Sequence, residues 1–342
     1  MKTLITGAAG FIGSNFVHYL VSERPDWQVS ALDVLTYAGN FENIASLVES
    51  GKVEFLKIDI TDREAIEDLF KSEQFDIVFH FAAESHVDRS ILGADAFVKT
   101  NVLGTQILID AARAGKVERF MHISTDEVYG SLDSKGRFSE NSPLNPSSAY
   151  SASKAGSDLL CLAAFKTHGF PVIVTRCTNN YGPYQFPEKL IPLFITNALE
   201  DRELPLYGDG MNVRSWLYVT DHCEALVKLA ESGRVGEVYN IGGEEEAEVA
   251  NLEVTRLILK ELGKPEDLIK KVADRPGHDR RYALSCQKIR EEVGWQPTIS
   301  FADGLKRTID WYLANSDWWK RIKSGEYLEY YKKNYGAREG KY

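Results

Sequence analysis

The chain has 342 residues, enough for one large domain or two ordinary ones. Its net charge of −10, from 40 basic and 50 acidic residues, comes with no long basic run, so nucleic acid and anionic membrane surfaces are not expected partners. The four cysteines (Cys161, Cys177, Cys223, Cys286) lack CxxC or any metal spacing, which fits a reduced compartment and predicts no metal centre. No leader is recognisable and no apolar run nears the roughly 18 residues of a membrane span, so a cytoplasmic location is expected.

In chain order, residues 1–6 read as a short apolar strand. Gly7, Gly10 and Gly13, with Phe11 and Ile12 between them, then open a helix that Pro25 ends. Glycines at this spacing let the backbone approach a pyrophosphate, and the helix N-terminus offers it free N–H groups. A second strand, 28–32, ends at Asp33, about 20 residues after the glycines. There a carboxylate accepts bonds from ribose hydroxyls and repels a 2′-phosphate, which favours NAD over NADP.

Further strands are predicted over 53–59, 76–82, 119–125 and 171–177, and helices over 41–50, 62–72, 95–114 and 149–167. This alternation predicts an α/β fold with a doubly wound parallel sheet of Rossmann type. Ligands bind beyond the carboxyl ends of such strands. Asp59, the segment Glu84-Ser85-His86 and the segment Thr125-Asp126-Glu127 all fall there. Asp59 has two readings, an adenine contact or a loop carboxylate that caps a helix.

The pattern changes after residue 178. Turn formers and aromatics fill 179–187, a helix is expected over 188–200 with Pro192 in its first turn, and an aromatic helical tail runs over 311–331. We expect an NAD-binding domain over 1–178 and a smaller α/β substrate domain over 179–342, with a strand or helix within 213–242 returning to the first.

The chemistry centres on two segments. Tyr150 and Lys154 stand four residues apart on one helix face. An ammonium lowers a nearby phenol's pKa, so Tyr150 is expected to take a proton from a sugar or alcohol hydroxyl near neutral pH. Asp126 and Glu127 add two carboxyl groups that hydride transfer alone does not need, which predicts a second reaction with its own acid and base. As rival readings, these two acids are a helix cap and a first-turn charge, and Lys189, Arg214 and Arg275 are solvated surface cations. His86 and Asp88 have no third and fourth ligand spaced to join them at a metal.

These residues carry a resemblance. Gly7-x-x-Gly10-x-x-Gly13 and Tyr150-x-x-x-Lys154 resemble the extended short-chain dehydrogenases/reductases. The segments 35–40, 82–90, 124–130, 179–184, 186–193 and 275–282 are similar, within that group, to the dTDP-glucose 4,6-dehydratases. Ala149 departs from the proline often found there. Arg176 and Ser215 depart where less basic and more acidic residues are expected.

The resemblance implies that Leu35, Thr36, Ile60, Phe81, Ala82 and Ala83 join the glycines and Asp33 around NAD. Ser85, Thr100, Asn180, Tyr150 and Lys154 complete that set. For dTDP-glucose it implies Ser85, His86, Thr125, Asn179, Lys189 and Leu190, with Pro205, Leu206 and Tyr207 at one end. Arg214, Asn251, Arg275 and His278 follow, the arginines suited to a diphosphate. Thr125, Asp126, Glu127, Tyr150 and Lys154 are the implied catalytic set, with Asp126 as acid and Glu127 as base. A homodimer through 95–114 and 149–167 is implied as well. An epimerase on the same fold would leave Asp126 and Glu127 unused, and a non-enzymatic NAD sensor would have no need of the full set.

Overall fold

The computed structural model describes residues 1–132, 135–244 and 247–324. Its strands, in chain order, are β1 (Lys2–Thr6), β2 (Gln28–Leu32), β3 (Val53–Leu56), β4 (Ile77–His80), β5 (Arg119–Thr125), β6 (Val172–Cys177), β7 (Asn179–Tyr181), β8 (Leu204–Tyr207), β9 (Val213–Tyr218), β10 (Val238–Ile241), β11 (Glu248–Ala250) and β12 (Ile269–Val272). Among the described residues, seven of them form one parallel sheet in the order β10-β6-β5-β4-β1-β2-β3. The strand order reverses between β1 and β4, beside the glycine turn. The predicted doubly wound sheet is present.

The strands at the centre are apolar on both faces because helices cover both. On one face, Phe16, Val17 and Leu20 of the helix Phe11–Glu23 pack with Leu226, Val227 and Leu229 of the helix Val219–Ser232. On the other, Ile66, Leu69 and Phe70 of Arg63–Ser72 meet Ile107, Leu108 and Ala111 of Thr105–Ala114. Helix Val219–Ser232 and strand β10 thus build the large sheet although they follow residue 178 in sequence.

A second lobe stands beyond the carboxyl ends of these strands. It contains the small sheets β11-β9-β7 and β12-β8. The helix Leu190–Leu199 packs in its core with Tyr181, Trp216, Tyr218 and Trp319. Pro192 sits in the first turn of that helix, where its missing N–H costs nothing.

Several elements differ from expectation. The helix expected over 41–50 is a 3-10 turn (Phe41–Asn43) and a short helix (Ala45–Glu49). The long helix expected over 95–114 is broken into Asp95–Phe97, a wider π-helical stretch Val98–Gly104, and Thr105–Ala114. Inside that stretch Asn101 turns its side chain to the Glu84 backbone and to Ser153 Oγ, at 2.8–3.0 Å. A π-type turn of this kind is common next to functional sites. The aromatic tail is helical over Phe301–Ala314 and Ser316–Ile322, and its expected extension to 331 lies outside the described residues.

Candidate active site

Gly7 begins the site. Its φ of +70° suits glycine, and a Cβ there would lie 2.6 Å from the Ala82 backbone nitrogen. A Cβ on Gly13 would lie 2.1 Å from the Gly7 carbonyl oxygen. The turn therefore brings β1, β4 and the first helix to the closest approach a backbone allows. Next to it Asp33 is buried at the end of β2, with Oδ2 accepting from Ala9 N at 3.0 Å and Oδ1 from Leu35 N at 2.8 Å.

A cleft spanning about 1640 Å³, the open solvent at its mouth included, runs along these strand ends. Its lining brings together Gly7, Gly10, Phe11, Ile12, Gly13 and Asp33. Thr36, Asp59, Ile60, Phe81, Ala82 and Ala83 continue it, and Ser85, Thr100, Asn180, Tyr150 and Lys154 close it. Leu35, expected among them, is not on the wall. It turns away with φ +59° and gives its N–H to Asp33. Asp59 is not the helix cap, which is Asp62; it lines the cavity and accepts from Thr61 N at 2.8 Å within its own loop.

A glycine cradle at a helix N-terminus beside a buried carboxylate at the end of β2 suits a dinucleotide pyrophosphate and its ribose.

The second cavity, about 840 Å³ with the open solvent at its mouth included, lies under the second lobe. His86, Asn179, Lys189, Leu190, Pro205, Leu206 and Tyr207 line it, with Arg214, Asn251, Arg275 and His278. Thr125 and Ser85, expected to serve this side, face the larger cavity. Arg214 and Arg275 are not solvated surface charges. Arg214 is buried against the Tyr282 ring and donates to the Asp279 carbonyl at 3.0 Å. Arg275 lies 3.4 Å from Asp88 Oδ1, and its Nε is a buried donor without a partner among the described residues. Asn251 Oδ1 is a buried acceptor in the same condition. Unpaired buried polar groups are costly and mark where a ligand completes the bonding.

Glu127, Asn179, Glu188 and Lys189 line both cavities, so the two meet there. Thr125 ends β5 and caps the following turn, its Oγ1 accepting from Glu127 N at 3.3 Å. That turn places Asp126 and Glu127 side by side at the junction. Asp126 is buried, and burial first, then the Glu127 charge, pushes its carboxyl up to about 8. Glu127 is also raised by burial, but Arg275, Lys189 and Arg214 act against that rise. Asp126 Oδ2 has no hydrogen-bond partner among the described residues.

Tyr150 and Lys154 come from the helix Ala149–His168. Ser148 caps it, with Ser151 returning the bond, so Tyr150 is fixed in the first turn. The expected lowering of the phenol is not what this structure shows. Burial, then Glu127, raises the Tyr150 hydroxyl, and its bond with Thr125 acts the other way. Lys154 is lowered by burial and gives its Nζ to the Ile123 carbonyl at 2.7 Å. Desolvation outweighs the helix-face pairing that the sequence suggested.

Some residues of the site were not nominated from sequence. Glu188 reaches both cavities, is raised to about 7 by burial, and lies 3.5 Å from Arg89 Nε. Trp216, Phe194 and Tyr282 wall the smaller cavity. Glu188 and Tyr282 lie inside the segments 186–193 and 275–282, so their chemistry is visible in the sequence. Trp216 and Phe194 carried no signal apart from apolar packing.

The sheet, the glycine turn, the Tyr-x-x-x-Lys helix and the second lobe define an extended short-chain dehydrogenase/reductase. The chain belongs to the GDP-mannose 4,6 dehydratase family, whose profile matches residues 4–308. It is 51% identical over 324 residues to a dTDP-glucose 4,6-dehydratase of Actinoplanes sp., covering 93% of this chain and 100% of that one. An Escherichia coli dTDP-glucose 4,6-dehydratase is 47% identical, with 99% and 100% covered. Among solved structures, DesIV, the dTDP-glucose 4,6-dehydratase of Streptomyces venezuelae with NAD and dTDP bound, superposes with a TM-score of 0.91 at 51% identity. That match covers 94% of this chain and 100% of DesIV. The UDP-glucose 4-epimerase of Thermotoga maritima, with UDP-glucose, has a TM-score of 0.86 at 28% identity over 92% of this chain and 100% of its own.

Proposed function

We propose that this protein is an NAD-dependent dTDP-glucose 4,6-dehydratase, a hydro-lyase that converts dTDP-glucose to dTDP-4-keto-6-deoxyglucose and water. The observation that carries the reading is the meeting of the two cavities at Glu127, with Asp126, its carboxyl raised by burial, directly beside it. Adjacent carboxyl groups in different protonation states supply an acid and a base at one place. A 4-epimerase on this fold has no step for that pair. The likeness to dTDP-glucose dehydratases near 50% identity, against 28% for an epimerase, supports the same choice.

In this reading the larger cavity holds NAD and the smaller one the nucleotide diphosphate, with Arg214 and Arg275 on the phosphates. Bound NAD supplies the redox chemistry, accepting electrons from the sugar and returning them. Tyr150 removes the proton of the 4-hydroxyl, and Thr125 hydrogen-bonds the 4-oxygen as it becomes a ketone. The ketone acidifies the C5–H bond. Glu127 takes that proton while Asp126 donates its own to the departing 6-hydroxyl, which leaves as water. Glu127 then returns a proton to C5 as C6 is reduced.

The division of labour is residues 1–178 with the returning 219–241 segment for the cofactor, and most of the remainder for the sugar nucleotide. The reading also includes a homodimer through the helical segments 95–114 and 149–167, on which Val98, Leu103 and Leu159 are exposed. Four free cysteines fit the reduced cytoplasm.

Incubation of the purified protein with dTDP-glucose, without added NAD, tests the assignment. A 4-keto product that absorbs in alkali is expected. Formation of dTDP-galactose would point instead to an epimerase, and no turnover of any nucleotide sugar to a non-enzymatic role.

A further inference from the structure

Beneath the Tyr150–Lys154 pair lies a buried ion pair that lines neither cavity. Asp158 follows Lys154 by one helical turn, on the same face, and is fully buried. Its Oδ2 accepts from Arg176 Nε at 2.8 Å, and its Oδ1 lies 3.3 Å from His122 Nε2. Arg176 also donates to the Tyr129 hydroxyl at 2.8 Å, which in turn donates to Asn240 Oδ1 at 2.8 Å. Asp158 is therefore held from β5 and β6 and, through Tyr129, from β10. His122 Nε2 lies 3.1 Å from Ser157 Oγ, and that hydroxyl donates to the Lys154 carbonyl.

We infer that Asp158 is a positioning residue for the reaction, a carboxylate fixed by Arg176 and His122 so that Lys154 stays a cation beneath Tyr150. The inference rests on the reading above, in which Tyr150 takes the hydroxyl proton. Its physical basis is the cost of a buried ammonium. Burial lowers Lys154, and Asp158 is the largest charge acting against it.

The other groups facing Lys154 are the thiols of Cys161 and Cys177, the rings of His80 and His122, and the Tyr150 phenol. Burial raises both thiols, and burial depresses both imidazoles, so all four are neutral at pH 7. Tyr150 itself faces Glu127, Cys177 and Asp126, each of which raises it. Of the groups facing Lys154, Asp158 is thus the anion. Burial alone would raise Asp158, but the His122 ring and the Arg176 guanidinium bring it below its ordinary value. Arg176, basic where the sequence resemblance led us to expect a less basic residue, keeps this carboxylate ionised.

In the proton-transfer reading the Lys154 charge offsets part of the rise that burial imposes on the phenol, and a neutral Lys154 does not, so losing Asp158 moves the phenol's titration upward. The test measures single-turnover reduction of bound NAD by dTDP-glucose against pH, with melting temperature and NAD content for each variant. Asp158→Asn is expected to move the acid limb of that profile to higher pH by about one unit, the low end for a nearby opposite charge. Asp158→Glu should bring it back toward the parent. Asp158→Asn leaves Arg176 buried without its partner, so the double variant Asp158→Asn/Arg176→Gln decides the matter if the single variant does not fold. Variants that lose stability while the acid limb stays in place overturn the inference and leave Asp158 a purely structural ion. Tyr150→Phe is the control: if it reduces NAD at the parental rate, the proton-transfer reading is what fails.

Discussion

Asp126 and Glu127 are neighbours of one chemical kind, and their surroundings separate them. Asp126 is buried with the Glu127 charge beside it, whereas Glu127 faces Arg275, Lys189 and Arg214. Asp126 is raised to about 8, well above the ordinary carboxyl value near 4. Its neutral form is favoured in the fold, so its contribution to stability is full below about pH 4 and is lost as pH rises to about 8. Asp126→Asn has no such loss. It should melt above the parent at pH 8 by a margin that shrinks toward pH 4, and it should fail in elimination. An equal margin at pH 5 and pH 9 would remove the protonation assignment. For the unaltered enzyme, turnover should decline above about pH 8 as this acid loses its proton. Glu127→Gln should still let the sugar reduce bound NAD in part, but should lose exchange of the C5 hydrogen with solvent. Tyr150→Phe should instead slow the first hydride step, and undiminished C5 exchange in Glu127→Gln would rule out the base assignment.

The strand ends and the turns after them carry the site, and that much was legible in the sequence. The glycine spacing, Asp33, the Thr125-Asp126-Glu127 turn and the Tyr150–Lys154 helix were each set by local pattern, and the fold places all of them on one rim. What local pattern cannot show is order in space. Strand β10 returns to the large sheet from residue 238, and no periodicity in its four residues says which neighbour it pairs with. The π-helical stretch Val98–Gly104 is shaped by Asn101 reaching Glu84 and Ser153, contacts across 17 and 52 residues of sequence. The Tyr150 phenol differs from expectation for the same reason, because the Val87 and Phe97 side chains that bury it lie roughly 50–60 residues earlier in sequence. At this scale the arginines of that lobe give a sharp expectation. Arg275→Ala should weaken dTDP binding by about 1.5–3 kcal/mol, the range for a charged hydrogen bond, with NAD content unchanged. Arg214→Ala should do the same and also lower the melting temperature, since Arg214 donates to the Asp279 carbonyl. Parental dTDP affinity in both variants would move the sugar nucleotide out from under the second lobe.

At the scale of the whole molecule the lobes are tied far from the chemistry. Trp318, near the end of the described chain, gives its indole N–H to Asn43 Oδ1 at 2.9 Å, and Asn43 in turn donates to the Ala9 carbonyl beside the glycine turn. The cofactor cradle is therefore braced by the opposite end of the chain, which favours slow exchange of NAD. Denaturation should release NAD, identified by mass, and mainly NADP would sink the argument from Asp33. The proposed dimer belongs to this scale too. Val98 and Leu103 from one helical segment and Leu159 from another are large apolar side chains left in water, while the opposite faces of these segments pack on the sheet. Burying such groups against a second copy gains about 1.5–3 kcal/mol for each side chain fully removed from water. Two charges on each copy should reverse that gain. Leu103→Asp/Leu159→Asp is expected to sediment as a monomer where the parent sediments as a dimer, with NAD content retained because neither residue lines the cofactor cavity. If the double variant sediments as the parent does, the two helical segments are not the interface, and their exposed leucines are ordinary surface residues.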